Sequence, residues 1–363
     1  MPFVYIGFIL TSILIFIIYQ RKYGKYSNLP PGPPSLPIFG SFPLLNREKG
    51  NSDATLHKSF HKLYPDMYTL WLGSRPFIVI QDFNLAKDLF SREEFCGRPS
   101  NYHDKYIRGK NGHNLGIVAA TGSFWQEQRR FTLKHLKDLG FGRQKLDAII
   151  QDETKDSIED IIIKSKQGDV LFDTIFNFPI INILWQIVAS KKYEPDLPES
   201  KKMMDKVTEF FQTGIPSLLF LWTVAKLRDL IGYPLFRMDQ LTLDLKTMFR
   251  SQVLEHSKEF TSGGFYEPRN FIDIYLKEIK ERQMSKNQAG VNSKDNYSSF
   301  NTEQLATICL DFFQAGSETS STTLSWAVLY LTLYPDVQNK CWLEINENLG
   351  GKWLLLIISM NKR

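Results

Sequence analysis

The chain has 363 residues, of which 43% are hydrophobic and 13% aromatic, enough for one large or two ordinary globular domains. Its net charge is only +5 with both signs interspersed, which argues against a nucleic-acid-binding protein, because such proteins concentrate basic charge on one face. The cysteines Cys96, Cys309 and Cys341 are far apart and show no CxxC spacing. This excludes a disulfide scaffold or a structural zinc site.

The first segment, Phe3–Tyr19, contains no charged residue and is followed by three basic residues within six positions. As a helix it would be roughly 26 Å long, just enough to cross a thin bilayer. Because the basic residues follow the apolar segment and no small-residue cleavage site appears, the pattern favours an anchor over a cleaved signal. We predict residues 1–20 as a transmembrane anchor, with the rest of the chain in the cytosol.

A proline-rich segment follows, with five prolines between Leu29 and Gly40. Proline lacks the backbone N–H that helices and strand ladders need, so we predict residues 21–40 as a basic, stiff, extended hinge. Two apolar segments, Met67–Leu72 and Phe77–Ile80, then flank a Gly-Ser-Arg-Pro turn and predict a β-hairpin.

Helical patterns dominate the rest of the chain. Asp82 is the predicted cap of a short helix, Gly97–Gly122 is predicted as loop, and Ser123 as the cap of the next helix. Gln283–Ser299 is polar and predicted as loop, whereas Pro216–Gly232 is apolar and fits either core or a membrane-dipping surface. The longer predicted helices are Phe124–Leu139, Gln144–Ser165, Phe172–Ser190, Ser200–Thr213, Phe236–Phe260 and Thr302–Tyr334.

The last of these helices, capped by Asn301 and Gln304 and ended by Pro335, contains the segment Ala315–Thr323 (AGSETSSTT). Glycine and clustered hydroxyls weaken a helix interior, so this composition suggests a local opening that exposes polar groups to a pocket. Taken alone, it fits a solvent-facing polar stripe equally well.

A second cluster places Trp125 and Arg129 four residues apart, on one face of a helix. An indole N–H and a guanidinium that point the same way suit a carboxylate, although such a pair is also common as a cation–π contact. Arg98, in the loop Phe95–Pro99, adds a further donor.

The order of these features resembles the microsomal cytochromes P-450: a proline-rich spacer, a hairpin, the Arg98 loop, Trp-x-x-x-Arg and then Ala-Gly-x-Glu-Thr. The segments Gly116–Val118 and Arg129–Phe131 are most similar to the animal clan that oxidises drugs, fatty acids and hormones. The resemblance implies a mainly α fold with a small β-sheet, of which residues 41–350 are a partial catalytic domain.

The resemblance also implies site residues. Arg98, Trp125 and Arg129 would hold the haem propionates, and Ala315 and Gly316 would lie over the porphyrin face. Thr319, with Glu318 beside it, would deliver protons during oxygen activation. Residues 101–120 and 216–232 would shape a pocket for a lipophilic substrate. Three basic side chains would meet an NADPH-dependent reductase, unless they are merely solvated: Arg130, Lys134 and Lys137.

One expected feature does not occur in these 363 residues. The family's cysteine ligand sits in a Phe-x-x-Gly-x-x-x-Cys-x-Gly loop, and no such loop, nor a second Glu-x-x-Arg, follows Thr319. Residues 351–363 depart from the family pattern and are predicted to be an aberrant tail. We therefore expect a chain that is truncated, folds poorly because its long helix is uncovered, and is inactive.

The prediction is thus an endoplasmic-reticulum monooxygenase by family, with haem as cofactor, NADPH acting through a reductase, and no nucleic-acid partner. Two alternatives stay open for this chain: an incomplete reading of its gene, or a non-enzymatic, membrane-anchored protein that binds lipophiles or reductase. The identity of the substrate does not follow from the sequence.

Overall fold

The computed structural model describes residues 60–73, 75–99, 102–140, 144–172, 175–195, 197–212, 237–262, 267–288 and 298–349, together with residues 24–36, 40–41 and a few before residue 20. The chain divides into two compact units. The first comprises Met1–Tyr102 with Gly214–Leu235, and the second His103–Thr213 with Phe236–Arg363. The predicted mainly α fold with small β-sheets is confirmed.

The strands form two antiparallel pairs, which are β1 (Met67–Leu72) with β2 (Arg75–Ile80), and β3 (Gly109–Lys110) with β4 (His113–Asn114). The helices in chain order are α1 (Phe83–Ser91), α2 (Tyr102–Arg108), α3 (Gly122–Asp138), α4 (Gln144–Ser165), α5 (Asn177–Ala189), α6 (Pro198–Gln212), α7 (Arg237–Ser262), α8 (Phe271–Gln288), α9 (Thr302–Leu333) and α10 (Pro335–Leu349). A 3-10 turn, Glu93–Phe95, follows α1.

The first unit is built on the β1–β2 hairpin. Tyr68, Leu70 and Leu72 of β1 are buried and form its small hydrophobic cluster. The proline-rich segment is attached to the same strand, because the Thr69 amide donates to the Pro31 carbonyl at 3.0 Å. Gly40 also bridges to Leu72. The predicted hairpin is confirmed, and part of the predicted hinge is fixed to it.

The second unit has a helical core in which α9 packs between α5, α7 and α8. Large aromatic side chains fill its centre, and Trp185, Phe249 and Phe313 contact one another with ring centroids 5.1–6.3 Å apart. All three are at most 1% exposed. Each fully buried side chain of this kind stabilises the unit by roughly 1.5–3 kcal/mol.

Local capping signals were read correctly at two helices and wrongly at a third. Asp82 accepts the Leu85 amide at 2.6 Å and starts α1, and Asn301 accepts the Gln304 amide at 3.0 Å and starts α9. The predicted cap Ser123 is wrong, because α3 begins at Gly122 after Thr121. Glycine at that boundary has a φ of 68°, a conformation that other residues rarely adopt.

Two other boundaries need correction. The predicted loop 97–122 contains α2 and the β3–β4 pair. The predicted loop Gln283–Ser299 starts too early, since α8 continues to Gln288. The predicted end of the longest helix at Pro335 is confirmed, since α9 stops at Leu333 with Tyr334 as its cap. Pro335 then begins α10, because proline at a first helical position lacks only an N–H that would be unpaired anyway.

Two predictions fall largely or wholly outside the described residues. Most of the predicted anchor, including residues 6–10, lies outside them, as does the whole segment 216–232. Among the residues that the structure does describe, no helix is both long and apolar enough to cross a membrane.

Candidate functional site

The amino-terminal half of α9 is hydrogen-bonded to the loop Gly116–Val118 through two buried polar side chains. Asp311 accepts the amides of Ile117 at 2.6 Å and Val118 at 3.1 Å. Gln304 bonds both backbone groups of Gly116, at 2.8 and 3.1 Å. A side chain at position 116 would overlap Asp311, and Gly116 has a φ of 87°, so only glycine fits this close approach.

A buried cation balances the charge of Asp311. The Arg108 guanidinium at the end of α2 donates to the Asp311 carboxylate and, at 3.0 Å, to the Gln314 side-chain carbonyl. Arg108 and Asp311 are both almost fully buried. A buried ion pair of this kind depends on both partners, because removal of either leaves the other uncompensated. Sequence reasoning missed this network, although one acid in an apolar helical segment could have suggested it.

The predicted propionate-binding pair lies on α3. The Arg129 guanidinium carbon is 5.4 Å from the centre of the Trp125 ring, so both side chains share one face of the helix as predicted. Trp125 also packs on the buried cluster of Leu115, Ala120 and Phe124. Arg129 is exposed, and within the described part of the chain it forms no ion pair with a carboxylate.

The opposite face of α3 is held by α8. Glu127 receives a hydrogen bond from Arg282 at 2.8 Å, and Gln128 accepts one from the Tyr275 hydroxyl at 2.6 Å. The Glu-x-x-Arg sequence formed by Glu127 and Arg130 is thus no internal ion pair. Its glutamate binds an arginine 155 residues further along the chain.

The segment Ala315–Thr323 is continuous α-helix, so the predicted local opening is wrong. Three of its hydroxyls donate to carbonyls four residues back: Ser317 to Phe313, Thr319 to Ala315 and Thr323 to Thr319, at 2.7–2.8 Å. Ser321 and Thr322 donate to the side chains of Asn177 and Glu318. The alternative of a purely solvent-facing stripe also fails, since Ser317 and Ser321 are buried.

The four predicted site residues on α9 point in different directions. Ala315 and Thr319 are exposed and, being four residues apart, share a face with small side chains. Gly316 faces α5, where a β-carbon would be 2.5 Å from a methyl carbon of Leu184. Glu318 is half-buried and accepts the Thr322 hydroxyl at 3.3 Å.

The Trp125–Arg129 pair and Ala315 are connected through the loop Gly116–Val118. Asp311 lies one helical turn before Ala315 and holds Ile117 and Val118, while the next residues of this loop pack beneath Trp125. The loop therefore fixes the position of α3 relative to this turn of α9.

Arg98 belongs to the first compact unit, where its guanidinium donates to the carbonyls of Cys96 and Gly97 at 3.1–3.2 Å. The other predicted cofactor-binding residues belong to the second unit. The role of Arg98 in binding a haem propionate stays a prediction.

The cysteines have unlike environments. Cys309 is fully buried in α9, and burial raises the pKa of its thiol, so it stays protonated. Cys341 is exposed on α10, and Cys96 is half-buried. In the described ranges no group of three or more His, Cys, Asp or Glu side chains could hold a metal ion.

Comparison with known proteins identifies the family. The family model described as Cytochrome P450 matches residues 30–361. The chain belongs to the cytochrome P450 family. This range covers most of the chain and ends within the segment 351–363 that was predicted as an aberrant tail. Members use haem iron, with electrons supplied from NADPH through a reductase, and are haem-thiolate monooxygenases.

Curated relatives agree with this membership. Cytochrome P450 2C29 of Mus musculus is 31% identical over 96% of this chain and 67% of the relative. Cytochrome P450 2J2 of Homo sapiens is 33% identical, over 91% and 62% respectively. Farnesoate epoxidase of Bombyx mori is 28% identical, over 94% and 66%. The chain thus spans about two thirds of the length of these relatives.

The residues present on α3 and α9 fit part of a haem site. The Trp125–Arg129 pair offers N–H donors that no carboxylate of the described residues occupies, as a propionate requires. Ala315 and Thr319 form an exposed, small-residue surface against which a flat group can pack. Haem would supply the iron at which oxygen is reduced.

Proposed function

We propose that this chain belongs to a haem-dependent monooxygenase that inserts one oxygen atom into a lipophilic substrate. The observation that carries the proposal is the pair of half-buried Trp125 and exposed Arg129, whose guanidinium meets an indole ring and no acid among the described residues. In this proposal Trp125 and Arg129 bind the propionates, with Arg98 as a third donor. Ala315 provides the exposed helix surface over the porphyrin, whereas Gly316, assigned there by the resemblance, faces Leu184 of α5.

Thr319 and Glu318 are proposed as the proton-handling groups. The Thr319 hydroxyl donates to the Ala315 carbonyl at 2.7 Å, so its oxygen keeps its lone pairs on the exposed face of α9. A hydroxyl in this state can accept one proton while it releases another. Glu318, next in sequence and half-buried, is the nearby carboxylate that can resupply that proton from solvent.

The 363-residue chain by itself is proposed to lack thiolate ligation and therefore monooxygenase activity. Its buried Cys309 stays protonated, and Cys341 sits on an exposed helix without the glycine loop of the family's ligand. Two alternatives to an active enzyme are kept for this chain. It is an incomplete reading of its gene, or it is a haem-free, membrane-anchored protein that binds lipophiles or reductase.

For the surroundings we propose the endoplasmic-reticulum membrane, with residues 1–20 as a single anchor and the catalytic domain in the cytosol. The reductase is proposed to dock on the basic side of α3. Arg130, Lys134 and Lys137 are exposed there, and the positive charge of this surface suits an acidic partner.

Hemin titration, followed by quenching of tryptophan fluorescence, tests the propionate assignment. We expect Arg129→Gln to weaken binding about tenfold, the effect of losing roughly 1.4 kcal/mol of charge-assisted hydrogen bonding. Lys134→Gln is the matched control, since it removes one positive charge from another exposed position of α3 and leaves the Trp125 contact intact. Equal losses in both variants would reduce the effect to general electrostatics and contradict the assignment.

A carbon-monoxide difference spectrum of the reduced, hemin-loaded chain tests ligation. We expect no red-shifted Soret band. Its appearance, and its loss in Cys341→Ser, would show that Cys341 replaces the missing ligand and that the chain is not inactive.

A further inference from the structure

Arg282 on α8 makes three contacts, one of them with Glu127 of α3. Its Nη1 donates to Glu127 at 2.8 Å and its Nε to Glu278 at 2.6 Å. Its guanidinium carbon lies 4.0 Å from the centre of the Phe300 ring. The other carboxylate oxygen of Glu127 accepts the Ser299 hydroxyl. Both carboxylate oxygens of Glu127 thus accept hydrogen bonds from groups outside its own helix.

The nearest competitor for Glu127 is Arg130. The two residues are three apart on α3, a spacing at which glutamate and arginine side chains pair readily. Both also line one open cleft of about 440 Å³, together with Arg282. In the structure Arg282 binds Glu127, and Arg130 has no carboxylate partner among the described residues.

The consequence concerns the charge of the outward face of α3. Arg129 and Arg130 are both exposed, and a free Glu127 would neutralise one of them and draw it toward the α8 side. With Glu127 occupied, both guanidinium groups stay available to an anion. The side chains of Arg282 and Glu127 are 37% and 40% exposed, and exposed ion pairs stabilise a fold only modestly. The main effect of this ion pair is therefore to decide which arginine binds Glu127.

We propose that Arg282 is a positioning residue that, by holding Glu127, keeps Arg130 unpaired beside Arg129 for an anionic partner. The consequence for haem rests on the function proposed above, whereas the competition between the two arginines does not.

The competition can be measured without haem, as the rate at which phenylglyoxal modifies Arg130, read by peptide mass spectrometry. Arg282→Gln releases Glu127, and we expect it to slow modification of Arg130 about two- to fivefold, as an exposed ion pair would. Glu127→Gln combined with Arg282→Gln should restore the original rate, because the carboxylate three residues from Arg130 is gone; Glu278, which Arg282→Gln also frees, is removed by Glu278→Gln in a parallel variant. Lys277→Gln, which removes an exposed charge from the same helix, should leave the rate unchanged.

The double variant separates this proposal from a purely structural role. If Arg282 only braced α3 against α8, the double variant would be as altered as the single one, and that result would overturn the proposal. An unchanged rate in Arg282→Gln would overturn it too. Should Arg282→Gln fail to fold, Glu127→Gln alone remains decisive, because faster modification of Arg130 there would mean that Glu127 already engages Arg130.

Hemin affinity provides the second readout. We expect Arg282→Gln to weaken hemin binding two- to fivefold, in parallel with Arg130 labelling, and the double variant to recover it. If Arg130 labelling follows the prediction but hemin affinity does not change, the competition for Glu127 is supported and haem is not the anion that Arg130 binds. A change in hemin affinity without any change in labelling would contradict the positioning role itself.

Discussion

The two halves of α9 differ in which side chains they bury: the amino-terminal half buries polar residues, and the carboxyl-terminal half exposes apolar ones. Every buried residue of the helix lies between Gln304 and Ser321, and this set includes an aspartate, a glutamine and several hydroxyl groups. Beyond Ser321 the helix is apolar yet exposed, with Trp326 54% and Tyr330 55% accessible. Composition alone would have assigned the opposite burial. The difference shows that burial along one helix follows the available partners, since the side chains of Gln304, Thr307, Asp311, Ser317 and Ser321 all form hydrogen bonds, whereas the apolar half lacks a cover among the described residues.

The largest effect is expected at the buried ion pair of the amino-terminal half. Asp311→Ala should lower the free energy of unfolding by about 3–5 kcal/mol, because it leaves Arg108 buried and uncompensated and frees two loop amides. Urea unfolding followed by circular dichroism measures this. Asp152→Ala, at an exposed position of α4, should change it by less than about 0.5 kcal/mol. Arg108→Met with Asp311→Asn should lose less than the two single variants summed; strict additivity would mean that the pair is not coupled.

Two aromatic residues of α9 test the burial difference directly. Phe313→Ala in the buried half should cost about 3–5 kcal/mol, because it opens a cavity beside Trp185 and Phe249. Trp326→Ala in the exposed half should cost less than about 1 kcal/mol and raise the soluble fraction, because it removes part of an exposed apolar surface. Similar losses in both variants would show that Trp326 is covered in solution, for example by a second copy of the chain.

A smaller effect should distinguish the two small residues at the middle of α9. Gly316→Leu should destabilise by about 1–3 kcal/mol through overpacking against Leu184, and Leu184→Ala should partly relieve it. Ala315→Leu should leave stability nearly unchanged, because Ala315 is exposed, but should abolish hemin binding by blocking the proposed porphyrin surface. Unchanged hemin binding in Ala315→Leu would show that haem does not bind against Ala315.

The smallest effect is a pH dependence at Lys246. Burial lowers the pKa of this amine, with further lowering from neighbouring cations, although it donates to the Ile107 carbonyl at 2.6 Å. Between the lowered folded pKa and the unfolded value near 10.5 the unfolded chain binds more protons, so this group makes stability rise with pH across that window. Lys246→Met should remove the rise in urea unfolding measured from pH 7 to 10, and Lys277→Met, at an exposed site, should not.

Cys309 contributes the opposite slope in the same experiment. Its folded pKa is raised by burial, so its contribution is complete below the unfolded pKa of a thiol and is lost as the pH rises above it. Both Lys variants retain Cys309, and the difference between them therefore isolates Lys246. Identical pH profiles would mean that Lys246 carries no burial penalty.

Local signals explain which parts of the fold were predictable. The caps at Asp82 and Asn301 bond to amides three residues away, and the β1–β2 register follows from a short turn, so neighbouring residues suffice to specify them. Errors occurred where a local preference was overruled. Ser123 has the chemistry of a cap, yet the glycine before it already starts α3 with a positive φ.

The sequence by itself determined the family, the helical character and the Trp125–Arg129 pair, because these depend on the order of short motifs and on helical spacing. Only the tertiary structure decided the partners of the charged residues. Arg108 meets Asp311 across 203 positions, and Glu127 binds Arg282 rather than nearby Arg130. Such contacts form when packing brings distant segments together and removes water from between them, and no periodicity along the chain encodes that encounter.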